Sequence, residues 1–337
     1  MANMARRNFA LIGCGKIGSR HAEIITSIGK LLAVCDLQQE RALAFADRYS
    51  ARSYFDLSSM LLQENEIDIC VICTPNGLHA LHSIACLEKG FHVLCEKPMA
   101  IDVEDCLNMI KAAEKSGRTL SIVKQNRFNP PVAALKSAID DGRLGRILNV
   151  QLNCFWNRNA NYYSDGWRGT LKLDGGTLYT QFSHFIDLLP WLVGEVKEVN
   201  ARFENFLHRG IIEFEDTGAV VLKFEGGAIG TINYTVNSHR KNMEGSITLF
   251  GEKGTIKVGG AYLNLLEYQD VDHFEIQCEP SSGIANQYGH YEGSMSNHEA
   301  VYENFLGALE KGDALMSDMY EGLRTVSLIE KIYQHRK

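Results

Sequence analysis

Five short stretches of the chain carry residue types and spacings that can do chemistry. The turn Gly13-Cys14-Gly15-Lys16-Ile17-Gly18 has the G-x-G-x-x-G spacing of a dinucleotide site. Gly13 suits a tight turn, Gly15 lets a pyrophosphate approach the backbone, and Gly18 lets the next helix pack close to the preceding strand. The N–H groups at the helix start, around Lys16 and Ile17, would face the phosphates. Glycines recur in many loops, so the spacing alone is weak. Its context is stronger, because the apolar run Phe9–Ile12 precedes it and a helical pattern follows. Asp36 closes the next apolar run, 18 residues past Gly18. A carboxylate there accepts both ribose hydroxyls and repels a 2′-phosphate, which favours NAD over NADP.

Thr74-Pro75-Asn76-Gly77-Leu78-His79 and Cys95-Glu96-Lys97-Pro98 each follow an apolar run. Both would stand at the carboxyl ends of parallel strands, where doubly wound sheets hold their ligands. Pro98 biases Lys97 toward an extended backbone, so the lysine projects from the strand end. In a dry cleft beside a nicotinium its pKa would fall, and it could then handle a hydroxyl proton. The bland reading is a solvated lysine. His184 and Asp187 lie three apart and would share a helix face. Gly175-Gly176 upstream would admit a cofactor. The bland reading there is a helix with one satisfied histidine. His290 and His298 have no partner at ligand spacing and read as loop or helix surface, so no metal is expected.

The whole chain must position these groups. Its 337 residues suggest two domains. A net charge of -7 gives no reason to expect nucleic acid or an anionic membrane as partner. The nine cysteines are scattered, mostly in or beside apolar runs, and read as buried free thiols in a reducing cytoplasm. Cys70 and Cys73 have C-x-x-C spacing, but inside a strand-like run they would point to opposite faces. About six apolar residues before Gly13 are too few for a signal-peptide core, and no transmembrane span is expected.

Strands are expected at Asn8–Ile12, Leu31–Cys35, Asp68–Cys73, Phe91–Leu94 and Leu120–Val123. Helices are expected near Ile17–Ile28, Gln39–Tyr49, Leu78–Lys89 and Val103–Ser116. This alternation implies an α/β, doubly wound parallel sheet with both faces covered. After Lys124 the pattern changes. A helix from Pro130-Pro131 to about Asp141 and another near Tyr179–Val193 are followed by strand-like text from Val196 to about Tyr268. The strands there are Ala219–Phe224, Ala228–Val236, Ser246–Phe250 and Thr255–Val258, and Asn297–Gln334 returns to helix. Gly226-Gly227 and Gly251-Glu252-Lys253-Gly254 read as hairpin breaks, so the second sheet should be largely antiparallel. The expected division is residues 1–124 and 125–337.

Taken together, Gly13 to Gly18, Thr74-Pro75-Asn76 with His79, Glu96-Lys97-Pro98, Gly175-Gly176 and His184-x-x-Asp187 resemble the glucose–fructose oxidoreductase/inositol dehydrogenase (Gfo/Idh/MocA) family over nearly the whole chain. The resemblance implies a Rossmann domain followed by an α+β domain with a large open sheet. A narrower set looks like the UDP-N-acetyl-2-amino-2-deoxyglucuronate 3-dehydrogenases. It comprises Lys124-Gln125-Asn126-Arg127, Phe155-Trp156-Asn157-Arg158, Tyr162-Tyr163 with Trp167-Arg168-Gly169, Glu215-Asp216-Thr217-Gly218, and Gly245 to Thr248 with Gly251 to Thr255. The likeness implies tightly held NAD, a nucleotide-sugar substrate, a homotetramer and a part in bacterial surface-polysaccharide synthesis. Where many relatives carry an aspartate four residues before the histidine, this chain has Thr180, leaving proton transfer to Lys97 and His184. Gln125, Trp167 and Arg168 are candidate cofactor contacts. Arg127, Tyr163, Arg168, Thr180, His184 and Asp187 are candidate substrate contacts, with Asp187 orienting His184 or binding a sugar hydroxyl. Two alternatives are a dehydrogenase of a free sugar or inositol, and a non-catalytic NAD-binding regulator.

Overall fold

The computed structural model describes residues 7–278, 285–287 and 292–335. His290 lies outside the described residues. The chain forms two compact units, Met1–Val123 with Val301–Leu323, and Lys124–Ala300 with Arg324–Lys337. The expected division assigned all of 125–337 to the second domain; the stretch 301–323 in fact belongs to the first. Its anchors are Tyr302, whose ring meets Phe9 edge-on at 6.2 Å, and Gly322, which sits against Ile122 and Met99 too closely for a Cβ.

The first unit alternates strand and helix: β1 (Asn8–Ile12), α1 (Lys16–Ile28), β2 (Lys30–Cys35), α2 (Gln39–Tyr49), β3 (Arg52–Tyr54), α3 (Leu57–Gln63), β4 (Ile69–Ile72), α4 (His79–Glu88), β5 (His92–Cys95), α5 (Val103–Ser116) and β6 (Leu120–Ile122). The strands are parallel in the order β3-β2-β1-β4-β5-β6, the doubly wound arrangement. Phe9 to Ile12 and Ile69 to Ile72 are buried throughout, as strands covered on both faces must be. Gly117 ends α5 in the left-handed conformation, φ 63°. The pair β3 and α3 has no counterpart in the sequence reading. β3 is three residues long, largely polar and pairs only with β2, so it shows no apolar run. The start of α3 was legible, since the Asp56 carboxylate caps the Ser59 N–H at 2.8 Å.

The second unit is built on α6 (Pro130–Asp140), β7 (Ile147–Phe155), three short helices α7 (Thr177–Thr180), α8 (Ser183–Ile186) and α9 (Leu188–Leu192), then β8 (Val196–Glu204), β9 (Thr217–Phe224), β10 (Ile229–Thr235), β11 (Glu244–Gly251), β12 (Gly254–Gly259), β13 (Leu265–Val271), and a small ladder of β14 (Ala285–Gln287) and β15 (Glu292–Met295). Two helices follow, α10 (His298–Lys311) and α11 (Met319–Gln334), each running from one unit into the other. The large sheet has the order β13-β12-β11-β7-β10-β9-β8 and is antiparallel except where β10 runs parallel to β7. Its central strand β7 was not among the expected strands, although Val150, Leu152 and Cys154 alternate buried with Gln151 exposed between them.

Three expectations change here. The single helix expected at Tyr179–Val193 is three short ones. Pro190, in the first turn of α9, has no N–H to return to the carbonyl of Ile186, so the bond that would join α8 to α9 is missing. His298 is buried at the start of α10, not on the surface. Of the glycine pair 175–176, Gly176 serves packing within the unit: a Cβ there, where φ is 142°, would lie 2.4 Å from the Tyr333 hydroxyl. That hydroxyl donates to Glu215 Oε1 and accepts from the Leu178 N–H. Gly176→Ala should therefore destabilise the protein by about 2–4 kcal/mol through clash and backbone strain together. Denaturant melts of the two proteins measure it, and an unchanged midpoint would refute the packing role.

Candidate active site

In the first unit the glycine turn has the geometry its spacing implies. Gly13 has φ 102°, and a Cβ there would lie 2.5 Å from the Cys73 carbonyl oxygen, so the ends of β1 and β4 abut. A Cβ on Gly18 would lie 2.3 Å from the Gly13 carbonyl oxygen. At Gly15 a Cβ would meet nothing within 4 Å. That side is open to a ligand, and no side chain caps the start of α1, which begins at Lys16 and includes Ile17. The Asp36 carboxylate accepts the Cys14 N–H on Oδ2 and the Gln38 N–H on Oδ1, both at 2.8 Å. Each oxygen keeps acceptor capacity for a ribose hydroxyl. These residues fit an NAD.

The other two motifs stand at the ends of β4 and β5. Thr74 and Pro75 lead into a single turn, Asn76–Leu78, with the Asn76 side chain buried. His79 bridges the two motifs, with Nδ1 2.7 Å from the Pro98 carbonyl and Nε2 2.9 Å from the Thr74 carbonyl. Burial lowers its pKa; the two carbonyls pull it up without overcoming burial. Burial likewise brings His82, whose Nδ1 meets the Thr74 hydroxyl at 3.0 Å, down to about 4. Glu96 is buried, and its Oε1 lies 3.0 Å from His21 Nε2, while His21 Nδ1 lies 2.7 Å from the Tyr302 hydroxyl. The other carboxylate oxygen accepts the Lys97 N–H at 3.1 Å. The Lys97–Pro98 peptide is cis. His21 and Tyr302 are thus members of the Lys97 surroundings that the sequence reading missed. All nine cysteines are free, and eight are buried. Burial pushes Cys14 and Cys35 up to about 12 and holds Cys70 and Cys73 well above their ordinary value, so none of these is a ready thiolate.

In the second unit the chain after β6 makes a single buried turn, Gln125–Phe128. Asp187 is its counterpart. Arg127 donates to both carboxylate oxygens, Nε to Oδ2 at 2.7 Å and Nη2 to Oδ1 at 2.8 Å. Lys124 Nζ lies 2.9 Å from Oδ1 and donates to the Thr325 hydroxyl at 2.7 Å. Thr325 in turn donates to Asp187 Oδ1 at 2.9 Å. Asp187 therefore holds Arg127 and Lys124, partners beyond the His184 or sugar hydroxyl expected for it. Burial acts to raise its pKa; Arg127 and Lys124 overcome that and hold the carboxyl well below the usual range. His184 is buried in α8. Beside it Ser183 Oγ, and in the turn Gln125 Oε1 and both amide atoms of Asn126, are buried with no hydrogen-bond partner among the described residues. Buried polar atoms are rarely left so, and these are suited to hold a ligand. Lys124, Asn126 and Ser183 were not among the expected site residues. A run of four polar residues directly after an apolar strand was the signal for the first two.

The remaining candidates are also tied into the second unit. The Thr180 hydroxyl donates to Asp174, whose Oδ2 accepts the Gly169 N–H at 2.6 Å. Tyr163 is buried, its ring edge-on to Tyr162 at 5.0 Å, and burial holds its hydroxyl well above the ordinary tyrosine value. Arg168 pairs with Asp165 at 2.5 Å and lies over the rings of Tyr162 and Trp167 at 4.6 and 4.8 Å.

A six-stranded doubly wound sheet with a glycine turn, a selecting aspartate and a lysine at a strand end defines a dinucleotide-dependent oxidoreductase. Residues 7–124 match the oxidoreductase family with an NAD-binding Rossmann fold, and residues 132–257 match the GFO/IDH/MocA C-terminal domain. The chain belongs to the Gfo/Idh/MocA family. It is 37% identical to the WlbA dehydrogenase of Chromobacterium violaceum, solved with NADH and UDP-GlcNAcA, with a TM-score of 0.89 over 99% of this chain and 94% of that one. The WlbA dehydrogenase of Bordetella pertussis, solved with the same two ligands, is 38% identical with a TM-score of 0.88, over 98% and 96%. Inositol 2-dehydrogenase 2 of Saccharopolyspora erythraea is 32% identical over 260 residues, 74% of this chain and 73% of its own length. The protein is an NAD-dependent dehydrogenase acting on a CH–OH group.

Two stability experiments follow. Asp187→Asn leaves Lys124 and Arg127 buried without their counter-charge, and should cost about 3–5 kcal/mol. A denaturant midpoint close to that of the unchanged protein would contradict the pairing. The wild-type carboxylate, with its lowered pKa, adds stability above about pH 4 that is lost on further acidification. His82 acts in a different window. It is neutral when folded and charges on unfolding, so its contribution is complete above about pH 6.5 and is lost as pH falls toward 4. His82→Gln should flatten the melting temperature between those values; an unchanged slope would show that His82 is not the group titrating.

Proposed function

We propose that the protein oxidises the C3 hydroxyl of a UDP-linked N-acetylaminoglucuronate by hydride transfer to NAD. The observation that carries this reading is likeness along 98–99% of the chain to two dehydrogenases solved with NADH and UDP-GlcNAcA. Bound NAD would supply the hydride acceptor, held by Gly13, Gly15, Lys16, Ile17 and Gly18 with Asp36 on the ribose, and by Thr74, Pro75, Asn76, His79, Glu96 and Gln125. His184 takes the hydroxyl proton, and Lys97 stabilises the alkoxide that develops. The exchanged assignment uses the same two side chains. Asp187 acts through Arg127 and Lys124. Asn126 and Ser183 bring unpartnered polar atoms to the substrate side, with Tyr163, Arg168 and Thr180 shaping that side further.

Several coarser traits belong to the same proposal. One face of the large sheet is exposed and carries Val221, Ile229 and Leu265, a surface suited to assembly into a homotetramer. The free cysteines suit a cytoplasmic enzyme, and no helix among the described residues is long and apolar enough to cross a membrane. The pathway would be bacterial surface-polysaccharide synthesis. A second reading, oxidation of inositol or a free sugar, is favoured by the 32% identity to an inositol 2-dehydrogenase.

The test is turnover. Purified protein incubated with a UDP-N-acetylaminoglucuronate should develop the absorbance of reduced nicotinamide, and with inositol or glucose it should not. Reduction by inositol alone would establish the second reading instead. Lys97→Ala and His184→Ala should retain NAD and lose about 10²–10⁴ in turnover; normal turnover in both would remove the assignment.

A further inference from the structure

The second unit holds a cavity that none of the roles above uses. It has a volume of about 270 Å³ and is lined by Asn157 to Ala160, Leu207, His208, Ile211 and Val236 to Arg240. Its three walls are the chain segments that follow β7, β8 and β10. β10 is parallel to β7, and β8 and β10 are each antiparallel to β9, so all three strands deliver their following loops to one edge of the sheet. Loops gathered in this way are where a rigid scaffold places a ligand.

The chemistry of the walls is selective. Among the described residues no aspartate or glutamate lines the cavity, in a chain whose net charge is -7. Two arginines do. Arg158 is only 3% exposed, and its guanidinium donates to Gln181 Oε1 at 2.7 Å, Asn157 O at 2.6 Å and Asn242 Oδ1 at 3.1 Å, all neutral oxygens. Asn242 also accepts the Asn157 N–H at 2.9 Å, which pins the loop carrying Arg240. Arg240 is exposed, has φ 66° and makes no ion pair or side-chain hydrogen bond among the described residues. Asn237 Oδ1 is buried and accepts no hydrogen bond from the described residues. On the remaining side Leu207 and Ile211 are 70% and 44% exposed, an apolar wall beside the cations.

We infer that this cavity is the subsite for the phosphate-bearing part of a nucleotide sugar, with Arg240 as its phosphate-binding residue. A free cation matches a phosphate oxygen. The unfilled amide oxygen of Asn237 matches a sugar hydroxyl donor, and Leu207 with Ile211 covers an apolar ring face. The volume lies just below the range of sites that enclose a whole ligand, about 300–1,000 Å³, and so suits one end of an extended substrate. Arg158 ties the cavity to the segment bearing His184, because Gln181 lies three residues before that histidine. The inference deepens the nucleotide-sugar reading and rests on it.

Calorimetry of the NAD-loaded protein with UDP, uridine and inorganic pyrophosphate tests it. UDP should bind, pyrophosphate should compete with it, and uridine should bind at least about tenfold more weakly than UDP. Arg240→Asn removes the charge and keeps a residue type that tolerates positive φ. It should weaken UDP by about tenfold and leave uridine unchanged, while Arg48→Ala, a surface change in the other unit, should alter neither. Equal UDP affinity in Arg240→Asn and wild type would overturn the inference, as would wild type that binds uridine as tightly as UDP or binds no UDP. Turnover on the UDP-uronate reports separately on the proposed function. A wild type that turns over while Arg240→Asn binds UDP normally keeps the function and removes this subsite.

Discussion

One buried carboxylate organises the second unit. Asp187 is 1% exposed, and Arg127 and Lys124 crowd it within 2.9 Å. Taking three charges out of water is expensive, and attraction offsets that cost only when every donor is satisfied. Here both oxygens of the carboxylate are used, and the Thr325 hydroxyl on α11 closes the set. The result is a fixed turn at residues 125–128, carrying Gln125 and Asn126, beside the short helix that carries Ser183 and His184. A carboxylate free to swing could not hold a buried arginine fork in one orientation.

The first unit has an analogous constraint made of backbone. The turn after β1 and the end of β4 approach so closely that only a glycine fits at position 13, and the start of α1 sits so close to that turn that only a glycine fits at 18. Gly15 lies between them with open space where its side chain would be. Steric exclusion on two sides and space on the third is what a pyrophosphate needs. His79, reaching from the Thr74 carbonyl to the Pro98 carbonyl, then fixes the Lys97 segment to the end of β4.

Much of this was legible in the residues. β1 and α2 match their expected limits because buried parallel strands are unbroken apolar runs and amphipathic helices have a clear period. What escaped is instructive. β3 is too short and polar to show a run, and β7, half-buried, hides its alternation among asparagine and glutamine. The partner of Asp187 escaped because the sequence neighbour, His184, was nearer than Arg127, 60 residues away. Long-range ion pairs leave no local period. Likewise the space beside Gly176 is taken by Tyr333, 157 residues further along the chain, a neighbour that no local pattern announces. Segments such as Glu215-Asp216-Thr217-Gly218 proved to be scaffold. Asp216 gathers the Phe206, Leu207 and His208 donors, and Gly218 makes room for the Tyr234 ring.

The proposed reaction takes its hydride from C3 of a UDP-linked aminouronate. Isotope transfer tests it most directly. Substrate deuterated at C3 of the sugar should yield reduced nicotinamide carrying the deuterium, and substrate deuterated at C4 should yield none. Label arriving from C4, or unlabelled reduced cofactor from the C3-deuterated substrate, would contradict the account.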